Sequence, residues 1–364
     1  MKILIVVPEY PQISQTYIKT EVEWIAAQHE IEILALDPGD YPYRHRYPHL
    51  VMNQSNQRNI LAYLKNFTPD IIHGHYLTNA GLLAQLSDFL SAPFTLRSHS
   101  FDVLGLSTEN LVQQAACINR DACLGLLAFP FLRKRLESAG VLPHKIVECY
   151  PVVDVNKFQD NSPNGDAIMN VGASIPKKNM QDFFRLSLLR PEKTFNLYAM
   201  GYRLDKLIQA NAEMGGRVNF IPPVEPDDMP QHYKRHQWLV YTASSTINKV
   251  GWPLAIAEAQ ASGVGVCMQN IRPDLQDYVG DAGILFNTPE EAAAIIAESV
   301  PQTMRLQGFE VAKRCDMSHH AELLAGLWRY SLNSVAPSRT TSLTLLPNGS
   351  DLSVFSQTEL DAIE

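Results

Sequence analysis

Apolar runs typical of buried strands alternate with amphipathic segments along most of the chain. Lys2 to Val7 is a continuous aliphatic run, the pattern of a central parallel strand covered on both faces. The segment that follows has apolar residues at helical spacing from Ile18 to Ile25, and Ser14 or Thr16 is suited to cap that helix. Because strands and helices continue to alternate, the sequence predicts an α/β protein built on doubly wound parallel sheets.

The alternation restarts in the second half of the chain. A polar Pro/Gly run from Asn161 to Asp166 is typical of a domain boundary. We therefore predict one domain over residues 1–160 and a second over residues 161–312. The apolar spacing from Met304 to Tyr330 predicts a long, kinked closing helix, with residues 313–333 as its final part. Residues 334–364 are rich in Ser, Thr and Pro without periodicity and are expected to form a tail.

Composition and charge narrow the classes of function. The net charge of -8 argues against nucleic-acid binding as the main task, because phosphate backbones attract basic surfaces. No apolar stretch approaches the roughly 20 residues that span a bilayer. The N-terminal MKILIVVPEYP has the pattern of a strand rather than of a secretory signal. We expect a cytoplasmic protein and leave open a peripheral contact at the inner membrane face.

The metal-binding residue types form no convincing site in the sequence. His73 and His75 lie two positions apart at the exit of a predicted strand, but the sequence places no third ligand near them. The cysteines lack paired spacing, as suits a reducing compartment; they are Cys117, Cys123, Cys149, Cys267 and Cys315. We predict no metal site and no cofactor.

The stretch from Asn248 to Met268, NKVGWPLAIAEAQASGVGVCM, is the most informative part of the second half. Pro253 suits the first turn of a helix, the next residues are good helix formers, and Gly263 supplies the left-handed residue that ends the helix. A short buried strand is predicted after it. The helix N-terminus, at Gly251 and Trp252, is suited to present backbone N–H groups to an anion.

This stretch resembles the signature of retaining glycosyltransferases of the family-4 type, Glu-Gly-Phe-Pro, four residues, then Glu-Ala-x-Ala-x-Gly. The matching positions are Gly251, Pro253, Glu258, Ala259, Ala261 and Gly263. The resemblance covers roughly Met1 to Tyr330 and implies the GT-B fold: two Rossmann-like domains facing each other across a cleft, with the C-terminal helix packing back on the first. It also implies that Glu258 holds the ribose of a nucleotide-sugar. An exposed helix charge is the alternative. The first Glu of the signature, which reaches the donor sugar, is replaced by Val250.

In the first half, RSHSFDV follows a predicted strand that ends at Arg97. A His just beyond a buried strand lies at the ligand-binding edge of a parallel sheet. The resembled family has His-x-x-Asp here, with its His beside the anomeric carbon. This implies a catalytic role for His99, accompanied by Asp102; a His that only caps the loop is the alternative. The segment PEYPQISQTYI resembles the start of exopolysaccharide glycosyltransferases, which makes Ser14 and Thr16 acceptor-side candidates, with a helix cap as the alternative.

The segment GASIPKKN follows the first strand of the second half. The family pattern is Gly-Arg, a short spacer, then Lys-Gly, with both cations clamping the donor diphosphate. Lys178 takes the place of the Lys, with Lys177 beside it, but the Arg position is Ala173. The helix N-terminus after Lys178 would then carry more of the phosphate interaction. Asn248 and Lys249 are candidates for replacement contacts, whereas solvated lysines before a helix are the alternative.

The resemblance implies transfer of a sugar from a nucleotide-diphosphate sugar to a saccharide or lipid-linked acceptor, without a metal. The competing hypothesis is a binding or accessory protein that kept the fold and lost turnover, because Ala173 and Val250 replace the family Arg and Glu. No placed carboxylate pair supports a hydrolase. An epimerase or phosphorylase on the same fold has no support in the sequence.

Overall fold

The structure, a computed structural model, describes residues 1–332 except residues 54 and 248. Its described residues form two compact units, one of Met1–Tyr150 together with Met317–Leu332, the other of Pro151–Asp316. Asn248 and the predicted tail, residues 334–364, lie outside the described residues.

The first unit contains a seven-stranded sheet in which every pair of neighbouring strands is parallel. The sheet order is β3-β2-β1-β4-β5-β6-β7. The strands are β1 (Lys2–Tyr10), β2 (Glu30–Pro38), β3 (Leu50–Val51), β4 (Ile71–His75), β5 (Phe94–Arg97), β6 (Cys123–Ala128) and β7 (Ile146–Glu148). The helices between them are α1 (Thr16–Ala26), α2 (Gln57–Phe67), α3 (Ala80–Leu90), α4 (Phe101–Leu104), α5 (Thr108–Ile118) and α6 (Arg133–Ser138).

The second unit repeats this plan with a six-stranded parallel sheet in the order β10-β9-β8-β11-β12-β13. Its strands are β8 (Ala167–Ala173), β9 (Phe195–Met200), β10 (Val218–Phe220), β11 (His236–Tyr241), β12 (Gly265–Gln269) and β13 (Gly283–Phe286). Its helices are α7 (Val155–Phe158), α8 (Gln181–Leu189), α9 (Leu204–Glu213), α10 (Met229–Lys234), α11 (Leu254–Ala261), α12 (Asp274–Val279), α13 (Pro289–Ala297) and α14 (Gln302–Ala312). The predicted fold class, α/β with two Rossmann-like domains, is confirmed.

The closing segment differs from the single kinked helix predicted from Met304 to Tyr330. The chain forms α14, leaves the helical conformation at Asp316, and resumes as α15 (Met317–Leu332). The break is stabilised by the second unit: the Val153 N–H donates to the Cys315 carbonyl at 2.9 Å, and the Val155 N–H donates to the Asp316 carboxylate at 3.0 Å. Helix α15 belongs to the first unit, where it packs on α1 and β6.

The predicted side-chain cap of α1 by Ser14 or Thr16 is wrong. Gln15 precedes the helix and makes no side-chain cap bond, while Thr16 is its first residue. The N–H of Ile18 instead donates to the backbone carbonyl of Gln15 at 3.0 Å, and Gln15 in turn donates to the Gln12 carbonyl at 3.0 Å. Backbone turns therefore satisfy donors for which a Ser14 or Thr16 hydroxyl was predicted.

Helix α11 confirms the prediction for the stretch that ends at Gly263. Every side chain from Ala255 to Ala261 is buried. Gly263 has a φ of +70°, and a Cβ at this position would lie 2.6 Å from Nε of Arg305 and 3.0 Å from the Phe309 ring. Glycine is therefore required here both by backbone conformation and by space. Among the described residues, no helix combines the length and hydropathy needed to cross a bilayer.

Candidate active site

Each sheet reverses its strand order at one point, and open parallel sheets bind ligands at the carboxyl ends of the strands there. In the first unit the reversal lies between β1 and β4, and in the second between β8 and β11. His75 ends β4, His99 follows β5, and the lysine pair follows β8. The topology therefore places the predicted histidine and lysines at ligand-binding edges.

Asp102 fixes the loop that carries His99. Its buried carboxylate accepts from the backbone N–H of His99 at 2.8 Å and from that of Leu77 at 2.6 Å. Burial raises the pKa of Asp102 to about 6, although these backbone hydrogen bonds oppose the rise. The structure brings the predicted pair together, with Asp102 holding the backbone that presents His99.

An aromatic group surrounds the His99 imidazole. Its ring centroid lies 4.3 Å from that of Tyr17 and 4.6 Å from that of Tyr76, and the two tyrosine hydroxyls share a hydrogen bond. The ring of Phe101 packs edge-on against Tyr76. Burial and the neighbouring His75 lower the pKa of His99 well below its usual range, so the ring is neutral at physiological pH. These aromatic partners were not predicted from the sequence.

Beneath His99 lies a buried ion pair that was also not predicted from the sequence. Arg97 donates from Nε and Nη2 to the two carboxylate oxygens of Glu21, each at 2.8 Å, and both side chains are at most 2% exposed. Burial opposes the charge on Glu21, but Arg97 and then His73 outweigh it and hold the pKa of that carboxyl well below its usual range. Arg97 also contacts Cys149 and, from α15, His320.

The structure supplies the third metal-type ligand that the sequence did not place. Glu21, His73 and His75 are buried, and one ligand atom from each lies within 4.8 Å of the others. However, the guanidinium of Arg97 already occupies both carboxylate oxygens of Glu21 and supplies the positive charge. A metal cation would have to displace it against like-charge repulsion, so this cluster favours an ion-pair network.

The lysines of the second unit are held by the loop that follows β11. The Ser244 N–H donates to the Lys177 carbonyl at 2.8 Å, and the Thr242 hydroxyl donates to the Lys178 carbonyl at 2.7 Å. The ammonium of Lys178 lies 4.5 Å from the ring centroid of Tyr241. The two loops at the reversal point of this sheet thus fix the lysine backbone.

Burial and mutual repulsion make this loop a site that favours an anion. Burial, followed by the nearby charge of Lys249, lowers the pKa of Lys177 to about 8. Burial, followed by Lys177, lowers the pKa of Lys178 to about 7. The charge of Lys249 thus reaches Lys177, and that of Lys177 reaches Lys178, so a bound anion would relieve the cost of charging Lys177 and Lys178.

Glu258 is a buried carboxylate of α11 rather than the exposed helix charge that was the alternative. The Tyr233 hydroxyl donates to its Oε2 at 2.7 Å. Burial raises its pKa to about 7, against the lowering by Tyr233 and Lys157. No hydrogen bond or ion pair in the described part of the chain joins Glu258 to Lys178. Glu258 and Lys178, the two predicted contacts to the donor, therefore lie in the same unit without bonding each other.

The residues before α11, Val250 to Trp252, are held in place by packing and hydrogen bonds. Val250 is 2% exposed, and its carbonyl accepts from Arg272. Trp252 is buried, its ring stacks on Tyr278 at 4.8 Å, and its indole N–H donates to Asp274 at 2.8 Å. The side chain of Trp252 thus supports the loop, and Gly251 lies between two buried residues.

The acceptor-side candidates lie at the start of α1. Ser14 is exposed and Thr16 is half-buried. Thr16 directly precedes Tyr17, the residue whose ring packs on His99. Their predicted role in binding an acceptor stays a prediction.

Part of the chain matches a known family model. Residues 165–301 match the model described as Glycosyl transferases group 1, which covers most of the second unit. No curated protein matches the sequence significantly.

Solved structures resemble the chain over nearly its whole length. HepE of Anabaena, in complex with UDP-glucose, is 18% identical with a TM-score of 0.72, covering 90% of this chain and 100% of that one. Sucrose-phosphate synthase from Thermosynechococcus elongatus is 14% identical with a TM-score of 0.67, covering 91% and 99%. A glycosyltransferase from Rickettsia africae is 12% identical with a TM-score of 0.63, covering 92% and 99%. This chain therefore has the GT-B fold of glycosyltransferases, and its residues 165–301 match a glycosyltransferase group 1 domain.

Proposed function

We propose that this protein is a retaining glycosyltransferase that moves a sugar from a nucleotide-diphosphate sugar to the hydroxyl of a saccharide or lipid-linked acceptor. The observation that carries the proposal is the lysine loop: buried Lys177 and half-buried Lys178 follow β8 at the reversal point of the domain that matches the group 1 model. An electropositive site in a protein of net charge -8 is suited to bind a diphosphate.

The described residues divide the reaction into separate tasks. Lys178 and Lys177, with Lys249 beside them, neutralise the leaving diphosphate as its negative charge develops. Glu258, with one oxygen held by Tyr233, offers the other oxygen to the ribose hydroxyls. His99 lies at the ligand edge of the first unit, where a neutral imidazole can accept a hydrogen bond from a sugar hydroxyl.

A second candidate is an accessory protein that binds a nucleotide-sugar without turnover. Ala173 supplies no cation, and the buried Val250 supplies no acceptor for a sugar hydroxyl. Both candidates predict nucleotide binding, and they differ only in transfer.

The deciding experiment is nucleotide release from a panel of nucleotide-diphosphate sugars, with and without saccharide and lipid-linked acceptors. We expect release that depends on one donor and one acceptor class. Nucleotide binding by calorimetry without release from any donor would favour the accessory protein, and absence of binding would overturn both candidates.

Glu258→Gln should weaken nucleoside diphosphate binding by about 1–3 kcal/mol, because a carboxylate is the stronger acceptor for ribose hydroxyls. The amide keeps the shape and an oxygen for Tyr233, so the fold should be retained. The measurement is calorimetric titration, with Glu192→Gln at an exposed position of the same unit as the control. Equal affinity of the Glu258 variant and the parent would remove Glu258 from the site.

Nucleotide affinity should fall as the pH rises above neutrality. A diphosphate binds the protonated lysines and therefore raises their pKa values in the complex. In the free protein these values are about 7 for Lys178 and about 8 for Lys177, and below them the affinity is at its maximum. The affinity is lost as the pH rises through the higher pKa values of the complex. Lys178→Met should weaken binding and flatten this slope, whereas Lys206→Met, at an exposed position, should leave both unchanged. A slope that is the same in all three proteins would contradict the assignment.

A further inference from the structure

His75 lies directly against the ring of His99. Its Nδ1 is 3.0 Å from Nε2 of His99, and the two rings are nearly parallel, with an interplanar angle of 8°. A contact of this length between two imidazole nitrogens is a hydrogen bond, so one nitrogen carries the proton and the other carries a lone pair. The position of that proton decides whether the other ring nitrogen of His99, Nδ1, carries a proton or a lone pair.

Both imidazoles are neutral and therefore hold one proton each. Burial lowers the pKa of His75 to about 3; Glu21 opposes this shift, whereas His73 and Arg97 add to it. His99 is neutral for the same reason. The rings of Tyr17 and Tyr76 also pack against the His99 ring, and the carboxylate of Asp102 accepts from the His99 backbone N–H rather than from its ring.

The carboxylate of Glu21 decides where the proton of His75 lies. Nε2 of His75 is buried, lies 3.7 Å from Oε2 of Glu21, and has no hydrogen-bond acceptor in better geometry among the described residues. A proton on Nε2 is attracted to this carboxylate, whereas a lone pair there would be repelled by it. His75 is therefore protonated on Nε2, and its Nδ1 accepts.

The other histidine at this carboxylate supports the same assignment. Nδ1 of His73 lies 2.8 Å from the Thr95 hydroxyl, which also accepts from the indole N–H of Trp328 at 3.2 Å. Since that hydroxyl can donate its own proton to His73, Nε2 of His73 carries the ring proton, 3.3 Å from Oε1 of Glu21. Glu21, kept ionised by Arg97, thus has the protons of both rings directed toward it.

We propose that His75 is a positioning residue: oriented by Glu21, it accepts from Nε2–H of His99 and fixes that tautomer, so that Nδ1 of His99 is the nitrogen that accepts a hydrogen bond from a substrate hydroxyl. Within the described residues, Nδ1 of His99 makes no hydrogen bond of its own. The role in turnover rests on the proposed function, whereas the tautomer is a property of the free protein.

The first test needs no substrate. Long-range ¹⁵N NMR of the full-length protein near neutral pH should show a protonated Nε2 and an unprotonated Nδ1 for His99, with its signals assigned by their loss in His99→Asn. A protonated Nδ1, or an imidazolium, would overturn the proposal. Since the tautomer is read from the parent chain, the result does not depend on whether the His75 variants fold.

The second test compares His75→Asn with His75→Leu, two side chains of similar size. The Asn oxygen can still accept from His99, so its kcat should stay near that of the parent. His75→Leu should lower kcat by about 10- to 100-fold, as loss of an orienting partner does, without changing the KM for the donor. His144→Leu, at an exposed position of the same unit, is the control.

Equal losses in the Asn and Leu variants, or a change in KM alone, would contradict a positioning role for His75. If the parent releases no nucleotide from any donor, the proposed function fails, and the NMR result alone decides the tautomer. The two failures are therefore distinguishable.

Discussion

Replacing Arg97 by methionine should cost about 3–5 kcal/mol of unfolding free energy, because it leaves the Glu21 carboxylate buried without its cation. Glu21→Leu alone should cost a similar amount by leaving the guanidinium unpaired. The double variant should recover most of the loss, since two well-packed apolar side chains carry no desolvation penalty. Urea denaturation of the four proteins closes the double-mutant cycle.

The matched control is the ion pair of Arg120 with Asp88, whose side chains are 41% and 45% exposed. Arg120→Met should cost less than about 1 kcal/mol, because water screens an exposed pair. The stabilisation from Glu21 should also disappear in acid: its lowered pKa means that the contribution is full above the ordinary Glu range and is lost as pH falls through the folded value. Losses for Arg97→Met no larger than those of the control would contradict the role of the buried pair.

His99→Asn should lower kcat by about 10²-fold, because the imidazole nitrogen that accepts a hydrogen bond from the substrate hydroxyl, and so positions it, is lost. Nucleoside diphosphate binding should be unchanged, because the lysine loop and Glu258 belong to the other unit. The comparison requires steady-state kinetics and calorimetry on the same preparation, together with a melting curve.

His144→Asn, at an exposed turn of the first unit, provides the control for this substitution. It should match the parent in all three measurements. A large fall in melting temperature for His99→Asn, accompanied by near-parent kcat, would show that the imidazole serves only the packing of Tyr17 and Tyr76.

Local signals were sufficient to predict most of the strands and helices and the position of His99. The aliphatic run at the start of the chain predicts a strand, and Gly263 predicts the end of a helix, each from residues that are adjacent in the sequence. Both predictions are confirmed. The placement of His99 followed from a general property of parallel sheets, whose strand ends share one edge. Its catalytic role, which rests on the family resemblance, stays a prediction.

The buried network under His99 could not be predicted in this way. Glu21 and Arg97 lie 76 positions apart, and His320 lies 223 positions from Arg97. Glu21 lies in the middle of an amphipathic helix, where a glutamate is usually exposed. Nothing near it in the sequence indicates that it is buried and that an arginine from a distant strand neutralises its charge. Long-range pairing of this kind becomes visible only once the sheet order is known.

The wrong predictions have similarly specific causes. Ser14 and Thr16 are residue types that often cap helices. Here, however, backbone carbonyls of the turn before α1 accept from the N–H groups that such a cap would bind. The single closing helix fails at Asp316, where bonds from Val153 and Val155 compete with helical continuation. In both places backbone geometry supplied by neighbouring segments outweighed a local preference.

Helix α15 also has a consequence for the order in which the protein matures during synthesis. It supplies Trp328 and His320 to the interior of the first unit, and Leu327 packs over Gly125 of β6. Because translation proceeds from the N-terminus, residues 1–150 leave the ribosome long before this helix exists. The unit made of Pro151–Asp316 is continuous in the chain and can be completed first, although it is synthesised second. Part of the interior of the nascent first unit therefore stays uncovered until α15, which follows the whole of Pro151–Asp316 in the chain, has been translated.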